Sequence, residues 1–383
     1  MPAAATAAVT RLKLTGFRNY AMLSADFDGR SVVLTGPNGA GKTNLLEAIS
    51  FLAPGRGLRR ANLEEVARHG GDGAWAIAAT VDNAAGEVEI GTGVALGAEG
   101  PENRRSVRVN RAPARSTDAL AEHLGVLWLT PAMDGLFTGP AAERRHFLDR
   151  AVLAIDKTHG SRVNAFEKAT RGRNKLLAEP NPNAQWLDAI ETEMAELGVA
   201  VAAARREWAA LIVRLIAAGG SDSPFPWAEI QLEGTLEHAL DSHPASVVEA
   251  NYAAELAGER PHDAAAGRTL SGPHRSDLRV RHGPKQMAAE TCSTGEQKAL
   301  LIGLVLAEAR LATELTAETP VVLLDEIAAH LDAARREGLF QVLTDLGCQA
   351  FMTGTEADVF AALGERAERF SVRDATLGRA ESG

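Results

Sequence analysis

Gly36-Pro37-Asn38-Gly39-Ala40-Gly41-Lys42-Thr43 is a complete G-x-x-x-x-G-K-T. It follows the apolar run Val32-Val33-Leu34 and precedes the helix-like Asn44-Leu45-Leu46-Glu47-Ala48-Ile49. Strand, loop and helix in that order restrict the chain to an α/β architecture in which the loop caps a parallel strand. The glycines have a physical purpose: phosphates need several backbone N–H donors converging on them, and only a Gly-rich turn wraps that closely without Cβ clashes. A helix starting near Lys42 adds its orphan N–H groups and the positive end of its dipole. The spacing assigns Lys42 to the β- and γ-phosphates and the Thr43 hydroxyl to Mg2+. Gly36 through Asn44 are therefore expected to hold a nucleoside triphosphate, ATP.

A second half-site is expected far downstream. Val321-Val322-Leu323-Leu324 ends in Asp325-Glu326, the pattern of a buried strand that holds carboxylates rigidly at its C-terminal edge. Asp325 is assigned to the Mg2+ ion and Glu326 to polarising the water that attacks the γ-phosphate, so Glu326 and Lys42 are the expected catalytic pair. Between the halves stands Ser293-Thr294-Gly295-Glu296-Gln297, at the mouth of a helix expected over 299–311. It is similar to an ABC-type signature, with Thr294 in place of the first glycine. It is also a capping box, Ser293 with Glu296 three residues on, and both readings stand. Such a signature, here Ser293, Gly295 and Glu296, meets the γ-phosphate held by another copy, which implies an ATP-dependent homodimer. Ala329-His330-Leu331-Asp332 stands where a D-loop would. Thr353-Gly354-Thr355-Glu356 replaces the expected switch histidine, and no Q-loop glutamine is evident.

The chain of 383 residues suits one large α/β domain with a second lobe. Two cysteines, Cys292 and Cys348, make no disulfide framework and no metal-ligand spacing, which favours a cytoplasmic location. The Pro2–Ala8 stretch is too short and weakly apolar for a signal peptide and reads as a frayed end. No run is long enough to span a membrane, so no membrane partner is expected. A net charge of −10 argues against a uniformly basic nucleic-acid coat but leaves local patches open.

Along the chain, 9–14 and 31–34 read as strands, 74–109 as an antiparallel meander, 126–129 as a further strand, and 143–155, 162–177 and 186–216 as helices. A helical stripe is expected through Trp186, Ile190, Met194, Leu197 and Val201. Pro180–Asn183 breaks the helical region and Gly219–Pro224 ends it. The expected domains are a head made of 1–140 and 260–383 and an inserted, mainly helical lobe over 141–259.

Taken together, Phe17-Arg18-Asn19-Tyr20, the P-loop, Pro54–Arg60, Arg144-Arg145-His146-Phe147-Leu148-Asp149, Ser271-Gly272-Pro273-His274-Arg275-Ser276-Asp277-Leu278, the Ser293 motif and Leu323–Glu326 resemble the RecF family. These are bacterial recombination and repair ATPases related to SMC heads. The resemblance covers nearly the whole chain, with departures at Thr294, commonly Gln in that family, and Glu326, commonly Asp. It implies an α/β P-loop NTPase of ABC-ATPase/SMC-head type with an antiparallel β subdomain and an inserted helical lobe. It further implies duplex and gapped DNA as partners, a dimer closed by ATP, weak DNA-stimulated hydrolysis, and contact with RecR and RecO for RecA loading. By the same resemblance Arg18 and Asn19 approach the nucleotide. Two other classes share parts of the pattern, an ABC transporter ATPase subunit and a non-hydrolysing ATP-gated scaffold.

Arg56, Arg59, Arg60, Arg104, Arg105, Arg108, Arg111 and Arg115 give local positive density on an acidic chain. They are candidate DNA phosphate contacts, and scattered solvated arginines would look the same. His274 and Arg275 are either nucleotide-site residues or turn residues. Arg144 and Arg145 suit a solvated helix face, and Tyr20 packing more than adenine stacking.

Overall fold

The computed structural model describes residues 5–98, 100–218 and 223–380. In chain order its principal elements are β1 (Ala8–Phe17), β2 (Tyr20–Asp26), β3 (Ser31–Thr35), α1 (Lys42–Ser50), β4 (Trp75–Asn83), β5 (Gly86–Val94), β6 (Ser106–Val109) and β7 (Val126–Leu129). The middle of the chain supplies α2 (Ala141–Leu153), α3 (His159–Leu177), α4 (Ala184–Ala218), β8 (Ala228–Glu233), α5 (Thr235–Ser242), α6 (Ala245–Gly258), α7 (Arg260–Ala266) and β9 (Asp277–His282). Then follow α8 (Thr294–Thr316), β10 (Val321–Leu324), α9 (Ala333–Leu346), β11 (Ala350–Gly354), β12 (Ala367–Arg373) and β13 (Thr376–Arg379).

Two compact units result. The first comprises Met1–Asp134, Ser221–Pro226 and Leu301–Gly383. Its parallel sheet has the order β7-β10-β11-β3-β12, with β13 added antiparallel at the edge. Its second sheet is antiparallel throughout, β2-β1-β4-β5-β6, extended by a short pairing at Ala112–Pro113. Strands β1 and β4 alternate buried and exposed residues, as a sheet with one solvated face requires. Strand β10 is buried at all four positions, as befits a strand inside a parallel sheet. One core draws on both sheets and α1: Leu12, Leu14 and Ile77 from the antiparallel sheet, Leu45, Leu46 and Ile49 from the helix, and Leu34, Leu323 and Phe351 from the parallel sheet. Phe17, Phe51 and Trp75 meet edge-to-face within it, with centroids 5.3–6.1 Å apart.

The second unit comprises Gly135–Gly220 and Trp227–Leu300. Its core is helical, with Phe166, Met194, Val199, Ala202, Val248, Tyr252 and Leu256 packed together. Buried ion pairs tie its segments. Arg173 joins Glu191 at 2.9 Å and Asp263 at 2.6 Å, and Arg144 makes a two-pronged contact with Asp277 at 2.7 and 2.8 Å. Arg205 grips Asp149 in the same way, at 2.8 and 2.9 Å.

Three expectations need correction. The second unit extends to Leu300 rather than stopping at 259, because β9 pairs with β8 over six residues and Arg173 binds Asp263 of α7. Of the end expected to fray, Ala5–Thr6 pair in parallel with Glu318–Thr319, and Ala8 already belongs to β1; Pro2–Ala4 lie outside the described residues, as do Gly219–Asp222 of the expected linker. The stripe of α4 starts at buried Leu187, while Trp186 is exposed.

Candidate nucleotide site

The site follows from sheet register. In a parallel sheet every strand ends at the same edge, and ligands bind beyond the carboxyl ends. Leu34 pairs with Thr353 and Thr35 with Gly354, while Leu324 pairs with Met352. Asp325, Thr353 and Gly36 therefore emerge side by side. The Thr43 hydroxyl donates to Asp325 Oδ1 at 2.8 Å, so the first and last thirds of the chain meet in one hydrogen bond. The Thr353 hydroxyl donates to the same oxygen at 2.8 Å and accepts the Glu326 N–H at 2.9 Å.

The loop itself is braced from behind. Gly36 has φ +150°, and a Cβ there would lie 2.1 Å from the Val372 carbonyl oxygen. Gly41 has φ +115°, and its Cβ would press on Asn19 Nδ2 and the Tyr20 hydroxyl, both at 2.7 Å. Both positions thus require glycine for conformation and for space. Asn19 Nδ2 donates to the Ala40 carbonyl at 3.1 Å, Asn44 Nδ2 donates to Asn19 Oδ1 at 2.8 Å, and the buried Tyr20 hydroxyl donates to the Gly41 carbonyl at 3.1 Å. Lys42 curls into the loop, its Nζ donating to the Gly36 and Pro37 carbonyls at 2.7 and 3.0 Å. Burial lowers the Lys42 pKa, while the carboxylates of Glu326 and Asp325 oppose that shift.

Arg18 follows the same supporting pattern. Its guanidinium forks onto the fully buried Glu47 of α1, at 2.8 and 2.6 Å, and reaches the Glu65 carbonyl. Arg59 joins the pair, donating to Glu47 and Asn44 at 2.7 Å each. Arg18 and Asn19 therefore support the loop and its helix from outside the glycine turn.

The donor set fits a magnesium nucleotide. Lys42 and the amides of a glycine turn suit phosphate oxygens. Thr43 and Asp325 present the hard oxygens that Mg2+ requires, already in contact with each other.

The signature residues Ser293, Thr294 and Gly295 are exposed at the start of α8. A Cβ on Gly295 would meet nothing within 4 Å. Half of the capping box is present: Glu296 accepts the Ser293 N–H at 3.0 Å. Its hydrogen-bonded ion pair with Lys285, then that N–H, hold the Glu296 carboxyl down at about 2. Gln297 is buried and donates to the Cys292 carbonyl at 2.8 Å.

Of the arginines considered as phosphate contacts, Arg56, Arg59, Arg60, Arg104 and Arg108 are exposed. Arg105 is not: it is buried, donating to Thr92 Oγ1 and the Gly55 carbonyl at 2.7 Å each and to the Phe51 carbonyl, with its guanidinium over the Phe51 ring. Arg105 is a core residue. Arg108 instead joins Arg11, Lys13 and Arg111 around a groove of about 270 Å3 on the open face of the antiparallel sheet. Arg11 and Lys13, on the outward face of β1, were not among the sequence candidates; at this groove Arg11 is ion-paired to Asp26 and Arg111 to Glu89, at 2.6 and 2.9 Å. His274 and Arg275 belong to the second unit, where His274 bonds the Thr269 carbonyl and lies against Phe166. Arg144 and Arg145 are bonded within that unit rather than solvated, Arg144 to Asp277 and Arg145 to the Ser276 carbonyl at 2.8 Å.

A P-loop, a Walker B pair and a signature on sheets of this order define an ABC/SMC-type ATPase head. A family model described as RecF/RecN/SMC N terminal domain matches residues 8–376. The DNA replication and repair protein RecF of Mesorhizobium japonicum is 57% identical over 373 residues, covering 97% of this chain and 98% of that one. RecF of Rhizobium etli is 56% identical over 366 residues, with 96% and 97% covered. The chain belongs to the RecF family of DNA replication and repair proteins. Among solved structures, the recombination mediator protein RecF of the RecFOR pathway with ATP matches at a TM-score of 0.84 and 23% identity, over 99% of both chains. The Smc head of Pyrococcus furiosus follows at 0.54 and 16%, over 98% of this chain and 96% of that one.

Proposed function

We propose that the protein is an ATP-gated DNA clamp of recombinational repair and replication restart. It binds MgATP through Gly36–Asn44, Asp325 and Thr43. Two copies then close, so that Ser293 and Gly295 of each meet the γ-phosphate held by the other. The closed pair takes duplex DNA near single-strand gaps, engages RecR and RecO for RecA loading, and is reset by slow hydrolysis. It works in the cytoplasm; among the described residues no helix is long and apolar enough to cross a membrane.

The observation that carries this reading is the convergence of Thr43, Asp325, Glu326 and Thr353 at one sheet edge. Bound Mg2+ would neutralise charge on the β- and γ-phosphates. Lys42 leaves the Gly36 and Pro37 carbonyls to bind phosphate oxygen, and the loop amides orient the triphosphate. Glu326 accepts a proton from the attacking water. The exposed arginines and Lys13 supply contacts to phosphates without reading sequence.

Duplex-DNA binding with and without ATP, at two salt concentrations and with oligomeric state followed in the same samples, tests the reading. Binding and dimerisation should both require ATP and weaken with salt. Lys42→Ala should abolish both without unfolding the chain, and Glu326→Gln should trap the dimer on DNA. DNA affinity indifferent to ATP refutes the clamp; Glu326→Gln behaving as wild type favours the non-hydrolysing scaffold.

A further inference from the structure

Thr353 is 1% exposed and bears a hydroxyl with two partners of opposite sense. It donates to Asp325 Oδ1 and accepts the Glu326 N–H, at 2.8 and 2.9 Å. The oxygen it reaches is the one that Thr43 also reaches, at 2.8 Å. Two hydroxyls, one from the first turn of α1 and one from the end of β11, thus fix one carboxylate oxygen, leaving Oδ2 free of them. Glu326 has φ +56°, a left-handed backbone that a residue with a Cβ adopts at a cost. The bond from its N–H to Thr353 is what that conformation gains in return.

We infer that Thr353 is a positioning residue whose single hydroxyl sets both Walker B carboxylates, orienting Asp325 through its side chain and Glu326 through its backbone. The inference rests on the assignment of Asp325 to Mg2+ and of Glu326 to the attacking water. Loss of the hydroxyl removes a donor from the buried Asp325 carboxylate and a partner from the half-buried Glu326 amide, and the first defect is the more expensive. Packing of the Thr353 methyl cannot do this work. Valine keeps the volume and branching but loses the bonds, whereas serine keeps the bonds and loses the methyl.

The test uses the full chain as wild type, Thr353→Val and Thr353→Ser. Binding of ATPγS is measured calorimetrically in EDTA and in excess Mg2+, and ATP turnover alongside. Thr353→Val should bind as wild type in EDTA, lose roughly tenfold of the affinity that Mg2+ adds, and lose at least about tenfold in kcat at saturating MgATP. Thr353→Ser should restore both. Thr353→Ala carries the same expectation as Thr353→Val and replaces it if melting curves show the valine variant unfolded. A Thr353→Val protein with the wild-type Mg2+ gain and kcat overturns the inference. So does a serine variant as impaired as the valine, or a wild type whose affinity Mg2+ does not raise. No arm contains DNA, so failure of ATP-gated DNA binding would sink the clamp reading while this inference is judged on the Mg2+ gain and on kcat.

Discussion

Arg105 shows how one residue's position decides its meaning. Its fork satisfies the Gly55 and Phe51 carbonyls and the Thr92 hydroxyl, and no lysine could reach all three in that plane. Arg105→Ala should lower the unfolding free energy by about 3 kcal/mol in urea titrations, since it strands buried acceptors. The folded protein's DNA affinity should not change. Arg108→Ala should do the reverse, holding stability within about 0.5 kcal/mol while lowering the salt slope of duplex binding by about 1. An Arg105→Ala protein as stable as wild type would restore Arg105 to the DNA-contact set. In sequence the two arginines look alike, because β-alternation distinguishes faces but not which face is covered. The glycine turn was visible because its spacing is local, and Asp325 because it ends a four-residue apolar run; the structure brings Thr43 and Asp325 into contact. The role of Thr353 was not, since it arises only when β3, β10 and β11 lie in parallel register.

At the scale of elements, buried ion pairs join segments of the second unit alongside its helical core. Burial would raise the Asp149 pKa, but the Arg205 guanidinium and the hydrogen bonds from His159 and Arg205 override it and hold the carboxyl at about 2. A depressed carboxylate pKa contributes stability that is present above the unfolded value and lost as pH falls toward the folded one. The contribution at neutral pH is roughly 2 kcal/mol and should vanish between about pH 4 and pH 2. Asp149→Asn should therefore cost about 3 kcal/mol or more at pH 7, because Arg205 is left buried with less compensation, and should flatten the acid limb of the curve. Circular dichroism of both proteins from pH 7 to pH 2 checks this; parallel acid limbs would mean that Asp149 does not govern the transition. The helices α2, α3 and α4 were readable from their apolar period. The unit's true limit was not, because the sequence shows neither which strand β9 pairs with nor that Arg173 reaches Asp263.

For the whole molecule, the decisive question is whether the signature of one copy completes the site of another. A two-fold pair has two such sites, each built from one chain's P-loop and its partner's signature. Lys42→Ala removes the P-loop cation. Gly295→Asp places a negative charge where phosphate should approach, and the open space around Gly295 lets the fold tolerate it. Each variant alone should hydrolyse no ATP. In an equal mixture, random pairing makes about half of the dimers mixed, and each of these retains one intact site of its two, so turnover should recover to about a quarter of wild type. The mixture should also regain ATP-dependent duplex binding if one closed site suffices to hold the pair. Turnover that stays at zero in the mixture, with mixed dimers demonstrated by mass spectrometry, would place the signature's contribution within its own chain. The exposed start of α8 would then need another partner.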